Sequence, residues 1–231
     1  MVLVNRHSAS ASEILAGALQ DYGRAVLVGD SKTHGKGTVQ SLQYLDERNQ
    51  KLGQLKVTTH SFYRIAGGST QLKGVVPDIV IPSVLDALEV GEEFLPHAMQ
   101  WTVVNTALYR PMMNLKPLIP QLRRASEARR AKDSRYAVQA DIIKRLRDHQ
   151  ESASISLNLD DRLALAREEK GLEKAQQQAL ESDDEGDGDE HARRDNDIML
   201  SEAERILADL ITLTKEKPND HPLLENARGG Q

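Results

Sequence analysis

A strand–helix–strand pattern in the first 28 residues limits this chain to a small number of folds. Residues 1–4 and 25–28 are short apolar runs, and a helical pattern between them extends to Asp21, just before Gly23. Short apolar runs with polar boundaries are typical of buried strands. A strand, a helix and a strand within about thirty residues predict a βαβ unit with parallel strands and a right-handed crossover. We therefore expect an α/β fold.

Small residues mark the start of the predicted helix. The run Ser8-Ala9-Ser10-Ala11-Ser12 comes directly before Glu13. Ser10 or Ser12 is suited to cap the helix, and Glu13 lies three residues after Ser10, which is the spacing of a capping box. The predicted apolar face of the helix consists of Ile14, Leu15, Ala18 and Leu19.

The rest of the first eighty residues predicts a mixed sheet. Residues 29–37 form a loop framed by glycines, and residues 38–45 have the pattern of a strand. Residues 55–65 alternate between two faces, which is typical of a long antiparallel strand. A last short strand is predicted at residues 78–81, between two prolines.

From residue 83 the pattern becomes helical. We predict short helices within 83–91 and 97–109, two helices between 121 and 149 that divide at Asp133 and Ser134, and another at 162–180. Residues 181–190 hold seven acidic residues and two glycines, a composition that cannot form a core. The predicted regions are an α/β part at 1–82, a helical region at 83–180, an acidic flexible linker at 181–195, and a terminal amphipathic helix with its tail at 196–231.

Composition excludes several classes of function. The 30 basic and 35 acidic residues give a net charge of −5, which does not indicate a nucleic-acid-binding protein. The absence of cysteine excludes disulfides and thiolate chemistry. No apolar run approaches the ~18 residues of a membrane helix, and no His, Asp and Glu cluster has metal spacing, so we expect no membrane span, metal or cofactor. Residues 1–4 lack the features of a secretion signal, and we interpret the chain as a fragment of a longer protein.

Three positions suggest a catalytic arrangement: Ser10, Lys36 and Gln40. A serine hydroxyl is a weak nucleophile until a base takes its proton, and a neutral lysine is one such base. An ordinary lysine has a pKa of about 10.4, so neutrality near pH 7 costs roughly 4 to 5 kcal/mol, which burial in an apolar site can supply. Lys36 lies in a tight Gly-Lys-Gly turn, and the amide of Gln40 is placed to orient its amine without adding charge. At the helix N-terminus, the N–H of Ala11 is placed to donate to an oxyanion.

The same residues also fit structural roles that involve no catalysis. An alternating run of serine and alanine is also typical of a close-packed helix start, and a lysine in a glycine turn is usually solvated. His7 and His34 fit either the polarisation of a site or satisfied positions in loops. The arginine-rich stretch at 123–135 fits an anion site or a solvated helix face, and the acidic run fits a linker or a binding tail.

Much of the chain resembles the carboxy-terminal processing, or tail-specific, serine protease family. The matching stretches include Val2-Leu3-Val4-Asn5, Ser8-Ala9-Ser10-Ala11-Ser12-Glu13-Ile14, Gly35-Lys36-Gly37-Thr38-Val39-Gln40, Gly67-Gly68-Ser69-Thr70-Gln71 and Lys73-Gly74-Val75-Val76-Pro77-Asp78-Ile79. The resemblance implies that Ser10 is the nucleophile, Lys36 the general base and Gln40 the residue that orients the lysine. It also implies that the Ala11 N–H is one donor of the oxyanion hole and that Asp21 has a supporting, structural role.

The resemblance has further implications for fold and function. It implies that residues 1–82 are the C-terminal part of a serine protease catalytic domain, a fragment of a ClpP/crotonase-like core with a mixed sheet. The mostly α-helical region that follows at 83–180 is like that of the larger periplasmic tail-specific proteases. The implied activity is cleavage of proteins or peptides with apolar C-termini, in the periplasm or cell envelope, with an adaptor protein as a further partner and without a cofactor. In this family a PDZ domain and a glycine-rich segment lie upstream, so we expect weak or no activity from the chain alone. The alternative is a non-catalytic interaction or scaffold module derived from such a protease.

Overall fold

The computed structural model describes residues 1–46, 50–151, 156–164, 166–167, 170–171 and 197–216. The chain divides into two units. Unit 1 contains Met1–Val80 and Val90–Lys116, and unit 2 contains Ile81–Glu89 and Pro117–Gln231. The acidic linker predicted at 181–195 lies outside the described residues. The chain therefore leaves unit 1 after its last strand and returns to it for residues 90–116.

Unit 1 is built on a parallel sheet and an antiparallel hairpin. Its described strands and helix are β1 (Val2–Val4), α1 (Ala11–Asp21), β2 (Leu27–Gly29), β3 (Thr38–Tyr44), β4 (Gln54–Ser61) and β5 (Ile79–Val80). The parallel sheet has the order β1-β2-β5, with Val2 opposite Leu27 and Val28 opposite Ile79. The predicted α/β class and the parallel pairing of β1 with β2 across α1 are confirmed.

Helix α1 packs on the sheet through small residues. A buried cluster joins the helix to β1, β2 and the segment before β5, and its members are Val4, Ala16, Ala25, Leu27 and Val75. The apolar face predicted for α1 is wrong for Ile14 and Leu15, which are 47% and 60% exposed. The reason is that the helix turns Gly17 and the carboxylate of Glu13 toward the interior together with Ala16. One side of α1 therefore packs closely, with Leu19 partly buried against the cluster, while Ile14 and Leu15 face outward.

The hairpin formed by β3 and β4 follows the glycine-framed loop. Thr38 pairs with Ser61 at its base and Tyr44 pairs with Gln54 at its far end, with an irregularity in the ladder just before Gln40. The strand predicted at 38–45 is confirmed. The strand predicted at 55–65 ends at Ser61, because the chain then enters a turn in which Arg64 N donates to the Gly68 carbonyl at 2.9 Å.

Residues 97–109 are not the predicted helix. Within this stretch, residues 102–107 pair with residues 65–69 instead, and the pairing uses backbone groups that a helix would need. The bonds run from Ser69 N to Thr102 O, from Val104 N to Gly67 O and from Ala107 N to Ile65 O, with lengths of 3.1, 2.8 and 3.0 Å. Because these N–H and C=O groups pair with a distant segment, the helical pattern of the sequence is overridden.

Unit 2 is helical in its described part. It contains α2 (Ile119–Arg130), α3 (Ser134–Glu151), α4 (Ile198–Glu216) and a short 3-10 turn at Val84–Ala87. The predicted division between α2 and α3 at Asp133 and Ser134 is confirmed. Arg129 of α2 donates to the carboxylates of Glu202 and Asp209 on α4, and Glu202 is only 1% exposed. A second contact joins the 3-10 turn to α3 through the buried residues Val84, Ala87, Ile143 and Leu146.

None of the helices in the described part of the chain has the length and apolar character needed to cross a bilayer.

We expect unit 2 to lose stability at alkaline pH because of Tyr136 in α3. Its hydroxyl donates to the carbonyl oxygen of Ile198 at 2.8 Å. Burial, with a smaller contribution from the charge of Glu202, raises the pKa of Tyr136 to about 12. Since the folded state holds this proton more tightly than the unfolded chain, the stabilisation is complete below about pH 10 and is lost as the pH rises toward 12.

Urea unfolding followed by circular dichroism across that pH range measures the effect. Tyr136→Phe should lose less stability with rising pH than the unaltered protein. Tyr44→Phe, at an exposed position on β3, should behave as the unaltered protein does. Identical pH dependence in all three proteins would contradict the assignment.

Candidate functional site

Ser10 has a backbone conformation that is rare for a residue with a side chain. It directly precedes α1, and its φ of 58° and ψ of −113° lie in a region that favours glycine. Strain of this kind costs about 1–3 kcal/mol and persists where neighbouring contacts enforce it. Here the Ser10 N–H donates to Glu13 Oε2 at 2.8 Å, and the Ser10 carbonyl accepts from the N–H groups of Glu13 and Ile14. Strained residues concentrate at functional sites, and the nucleophile elbow between a strand and a helix is an example.

The strain at Ser10 predicts an unusual order of stability. Ser10→Gly should have a free energy of unfolding about 1 kcal/mol higher than Ser10→Ala, because glycine tolerates a positive φ. At Ser12, the exposed second residue of α1, the order should reverse, since glycine in a helix is up to about 1 kcal/mol less favourable than alanine. Urea unfolding of the four variants provides the comparison. If Ser10→Gly proves less stable than Ser10→Ala, the strained conformation is wrong.

The loop that carries Lys36 is held by one buried carboxylate. Glu13 is 0% exposed, and its Oε1 accepts from Thr33 Oγ1 at 2.6 Å and from Gly35 N at 2.7 Å. Its Oε2 accepts from Lys36 N at 2.9 Å. Gly35 has a φ of 95°, and a Cβ atom there would lie 3.0 Å from the backbone of Leu72, so this turn requires glycine. A side chain from α1 therefore sets the course of the loop between β2 and β3.

A single oxygen atom joins the two candidate catalytic residues. Glu13 Oε2 accepts hydrogen bonds from the backbone N–H groups of both Ser10 and Lys36. The two nitrogen atoms are therefore no more than about 5.7 Å apart, which is the sum of the two bond lengths. Both residues are partly exposed, so neither is sealed inside the unit. The N-terminal end of α1 and the lysine loop thus meet at one junction.

The other predicted site residues take different positions relative to this junction. Ala11 is the first residue of α1, so its N–H has no acceptor within the helix. Gln40 is exposed on β3, directly after the irregularity in the ladder. Asp21 lies at the opposite end of α1, where its carboxylate accepts hydrogen bonds from Nε and Nη2 of Arg64. Within the described residues, no group of three or more His, Asp or Glu is arranged to hold a metal ion.

The sequence pattern does not reveal the full role of two polar residues of the site, Glu13 and Gln71. The sequence predicts Glu13 only as part of a capping box, and the bond from Ser10 N to its carboxylate agrees with that. Its bonds to Thr33, Gly35 and Lys36 span 20 to 23 positions and have no local pattern. Gln71 is 2% exposed, and its Oε1 accepts from Gly37 N at 2.9 Å. Only knowledge of their burial distinguishes these side chains from ordinary surface residues.

Two family models match the chain. The model of peptidase family S41 matches residues 1–81, the region that contains Ser10, Lys36 and Gln40. The model described as the C-terminal domain of tail specific protease matches residues 85–212, which is more than half of the 231 residues.

The chain is also similar to curated proteases. The tail-specific protease of Haemophilus influenzae is 35% identical over 232 residues, which cover 94% of this chain and 33% of that protein. The carboxy-terminal-processing protease of Bartonella bacilliformis is 47% identical over 85 residues, or 37% of this chain and 18% of the relative. The chloroplastic carboxyl-terminal-processing peptidase 3 of Arabidopsis thaliana is 46% identical over 79 residues, or 34% and 14%.

The chain thus spans about a third of the length of the Haemophilus relative and a smaller share of the other two. Its match to the second family model and its alignment with the Haemophilus protein extend over the helical unit as well as unit 1. The chain therefore belongs to the family described as the C-terminal domain of tail specific protease, and its first 81 residues match peptidase family S41.

Proposed function

We propose that this chain carries the nucleophile and the general base of a serine endopeptidase of the tail-specific type. The observation that carries the proposal is the strained Ser10 at the N-terminus of α1, joined through Glu13 to the backbone of Lys36. A serine in this position presents its hydroxyl beside helix N–H groups that lack partners within the helix. The match of residues 1–81 to a peptidase family supports the same assignment.

In the proposed reaction, Ser10 Oγ attacks the scissile carbonyl carbon while the neutral amine of Lys36 takes the hydroxyl proton. Negative charge moves to the carbonyl oxygen, where the N–H of Ala11 and the positive end of the α1 dipole stabilise it. The Lys36 ammonium then gives its proton to the leaving amine as the C–N bond breaks, and an ester remains on Ser10. A water molecule that loses a proton to Lys36 hydrolyses this ester and restores both residues.

Two further residues have supporting roles in this proposal. Gln40 lies four residues after Lys36, and its amide orients the lysine amine without adding a charge beside it. Asp21 acts at a distance, because its carboxylate holds Arg64 at the C-terminal end of α1. Loss of Asp21 is therefore expected to act through the placement of α1 and its N-terminus.

The proposed substrates are proteins or peptides with apolar C-termini, in the periplasm or cell envelope, and an adaptor protein is a proposed partner. One relative is named a tail-specific protease and another a carboxy-terminal-processing protease, which supports substrates that are recognised or cut at their C-termini. We expect the second donor of the oxyanion hole to come from outside these 231 residues. Activity is therefore assigned to the protein translated from the longest reading frame that contains them, called here the full-length product.

Cleavage of an unfolded protein with an apolar C-terminus by the full-length product tests the proposal. Ser10→Ala should lower kcat/KM by at least about 10³-fold, because the nucleophile is removed. The matched control is Ser12→Ala, which removes an exposed serine of the same run and should change kcat/KM little. Equal activity in both variants would contradict the role of Ser10. A folded full-length product that cleaves nothing would favour the interaction or scaffold module instead.

A further inference from the structure

Gln71 and Glu92 form a buried polar pair beside the lysine loop. Gln71 is 2% exposed and Glu92 is 8% exposed. Gln71 Nε2 donates to Glu92 Oε1 and to the carbonyl oxygen of Met99, both at 3.1 Å. On its other side, Gln71 Oε1 accepts from Gly37 N at 2.9 Å. The pair is therefore hydrogen-bonded to Gly37, the residue that follows Lys36.

The partners of Gln71 determine which way its amide faces. The Glu92 carboxylate and the Met99 carbonyl accept hydrogen bonds, whereas the Gly37 N–H only donates. The NH₂ group must therefore face Glu92 and the oxygen must face Gly37. Rotation of the amide by half a turn would set oxygen against oxygen at Glu92 and N–H against N–H at Gly37. The Glu92 carboxylate, together with the Met99 carbonyl, thus favours the orientation in which Gln71 holds the loop.

Glu92 meets the loop at a second place. Its N–H donates to the His34 carbonyl at 2.9 Å, and its Oε2 lies 3.6 Å from His34 Nε2. His34 N in turn donates to Ser8 O at 2.9 Å. All four N–H groups from 34 to 37 are bonded, and their acceptors are Ser8, Glu13 and Gln71. The loop around Lys36 is therefore held by Glu13 of α1 and by Gln71 of the Gln71–Glu92 pair.

The two members of the pair come from different family regions. Gln71 belongs to the part that matches peptidase family S41, whereas Glu92 belongs to residues 85–212, the match to the C-terminal domain. Residues 90–116 nevertheless lie in unit 1, where residues 102–107 pair with residues 65–69. The second family region therefore supplies a buried carboxylate to the unit that holds the candidate site.

We propose that Gln71 and Glu92 are positioning residues for Lys36. Glu92 orients the amide of Gln71, this amide holds Gly37, and the held loop sets the direction in which the lysine side chain projects. The inference rests on the proposed pair of Ser10 and Lys36. It makes the reaction depend on a residue from the C-terminal family region, which acts through Gln71 and Gly37.

Moving the carboxylate from position 92 to position 71 in the full-length product tests the role of the pair. Gln71→Glu sets two carboxylates against each other and should slow single-turnover acylation of Ser10 about 100-fold, since small misplacement of a catalytic group has effects of this order. Glu92→Gln accepts from Gln71 Nε2 only when its own amide oxygen faces that atom, which weakens the hold on the Gln71 amide and should slow acylation about 10-fold, with KM changed little. In the double variant, the carboxylate at position 71 accepts from both Gly37 and the amide at position 92, and only the bond to the Met99 carbonyl stays lost. Acylation should then recover to within about 10-fold of the unaltered protein, a coupling that independent sites do not show.

Hydrogen exchange at Gly37 gives a second readout that does not depend on catalysis. Exchange should accelerate in both single variants and slow again in the double variant. Additive losses of acylation, or unchanged Gly37 exchange in the single variants, would overturn the inference. The matched controls Gln43→Glu and Glu89→Gln change exposed residues and should alter neither readout. A failure of the proposed function gives a different result. In that case Ser10 of the unaltered protein is never acylated, while hydrogen exchange at Gly37 still responds to the variants.

Discussion

Replacing Glu13 with alanine is expected to destabilise unit 1 by about 4 kcal/mol and to abolish proteolysis by the full-length product. The buried carboxylate accepts four hydrogen bonds, from Ser10 N, Thr33 Oγ1, Gly35 N and Lys36 N. Each buried donor left without an acceptor costs about 1–3 kcal/mol, and entry of water offsets part of the total. Activity is lost because one side chain holds the backbones of both catalytic candidates.

A graded series separates the role of Glu13 from general damage. Glu13→Gln keeps one oxygen, so it should lose about half of the hydrogen bonds and about 2 kcal/mol of stability. Glu127→Ala, at an exposed position on α2, should change the free energy of unfolding by less than about 0.5 kcal/mol. Urea unfolding and cleavage assays on the same preparations supply both readouts. If Glu13→Ala changes the free energy of unfolding by less than about 1 kcal/mol and retains activity, the carboxylate does not join the start of α1 to the loop that carries Lys36.

Lys36→Arg is expected to lower kcat by about 10³-fold while leaving the fold intact. A guanidinium keeps the positive charge but is not deprotonated in proteins, so it cannot take the proton of Ser10. General base catalysis contributes about 10²–10⁴-fold, which sets the size of the effect. The backbone bond from residue 36 to Glu13 does not involve the side chain and should survive the substitution.

Chemical rescue makes the test of Lys36 specific. Lys36→Ala should regain part of its activity when a small primary amine is added, and the gain should follow the concentration of the neutral amine. Lys56→Arg, the same conservative change at an exposed position on β4, should leave kcat unaltered. Activity of Lys36→Arg within tenfold of the unaltered protein would remove Lys36 from the mechanism.

Features encoded by neighbouring residues could be predicted from the sequence. The apolar runs that form β1 and β2 are local, and the helix between them makes parallel pairing the expected outcome. The end of α1 is also local, since Gly23 follows it with a φ of 64°. The division between α2 and α3 comes from the residues at the break itself.

Contacts between distant segments account for what could not be predicted. Residues 97–109 have a helical pattern, yet their backbone pairs with residues 65–69, and no local rule indicates that choice. Ile14 and Leu15 fit an apolar stripe, but the smaller side of α1 is the one that packs. For the site, the residues themselves suggest Ser10, Lys36 and Gln40, the resemblance favours their catalytic interpretation, and their catalytic roles stay predictions. The burial of Glu13, which joins the first two, becomes evident only in three dimensions.

Covalent labelling of the full-length product with a serine-directed fluorophosphonate tests most directly whether Ser10 is a nucleophile activated by Lys36. Peptide mass spectrometry should place the adduct on Ser10, Ser10→Ala should give no adduct, and Lys36→Ala should label at least about 10²-fold more slowly. An adduct on Ser8 or Ser12, or labelling of Ser10 at an equal rate in Lys36→Ala, would contradict the assignment.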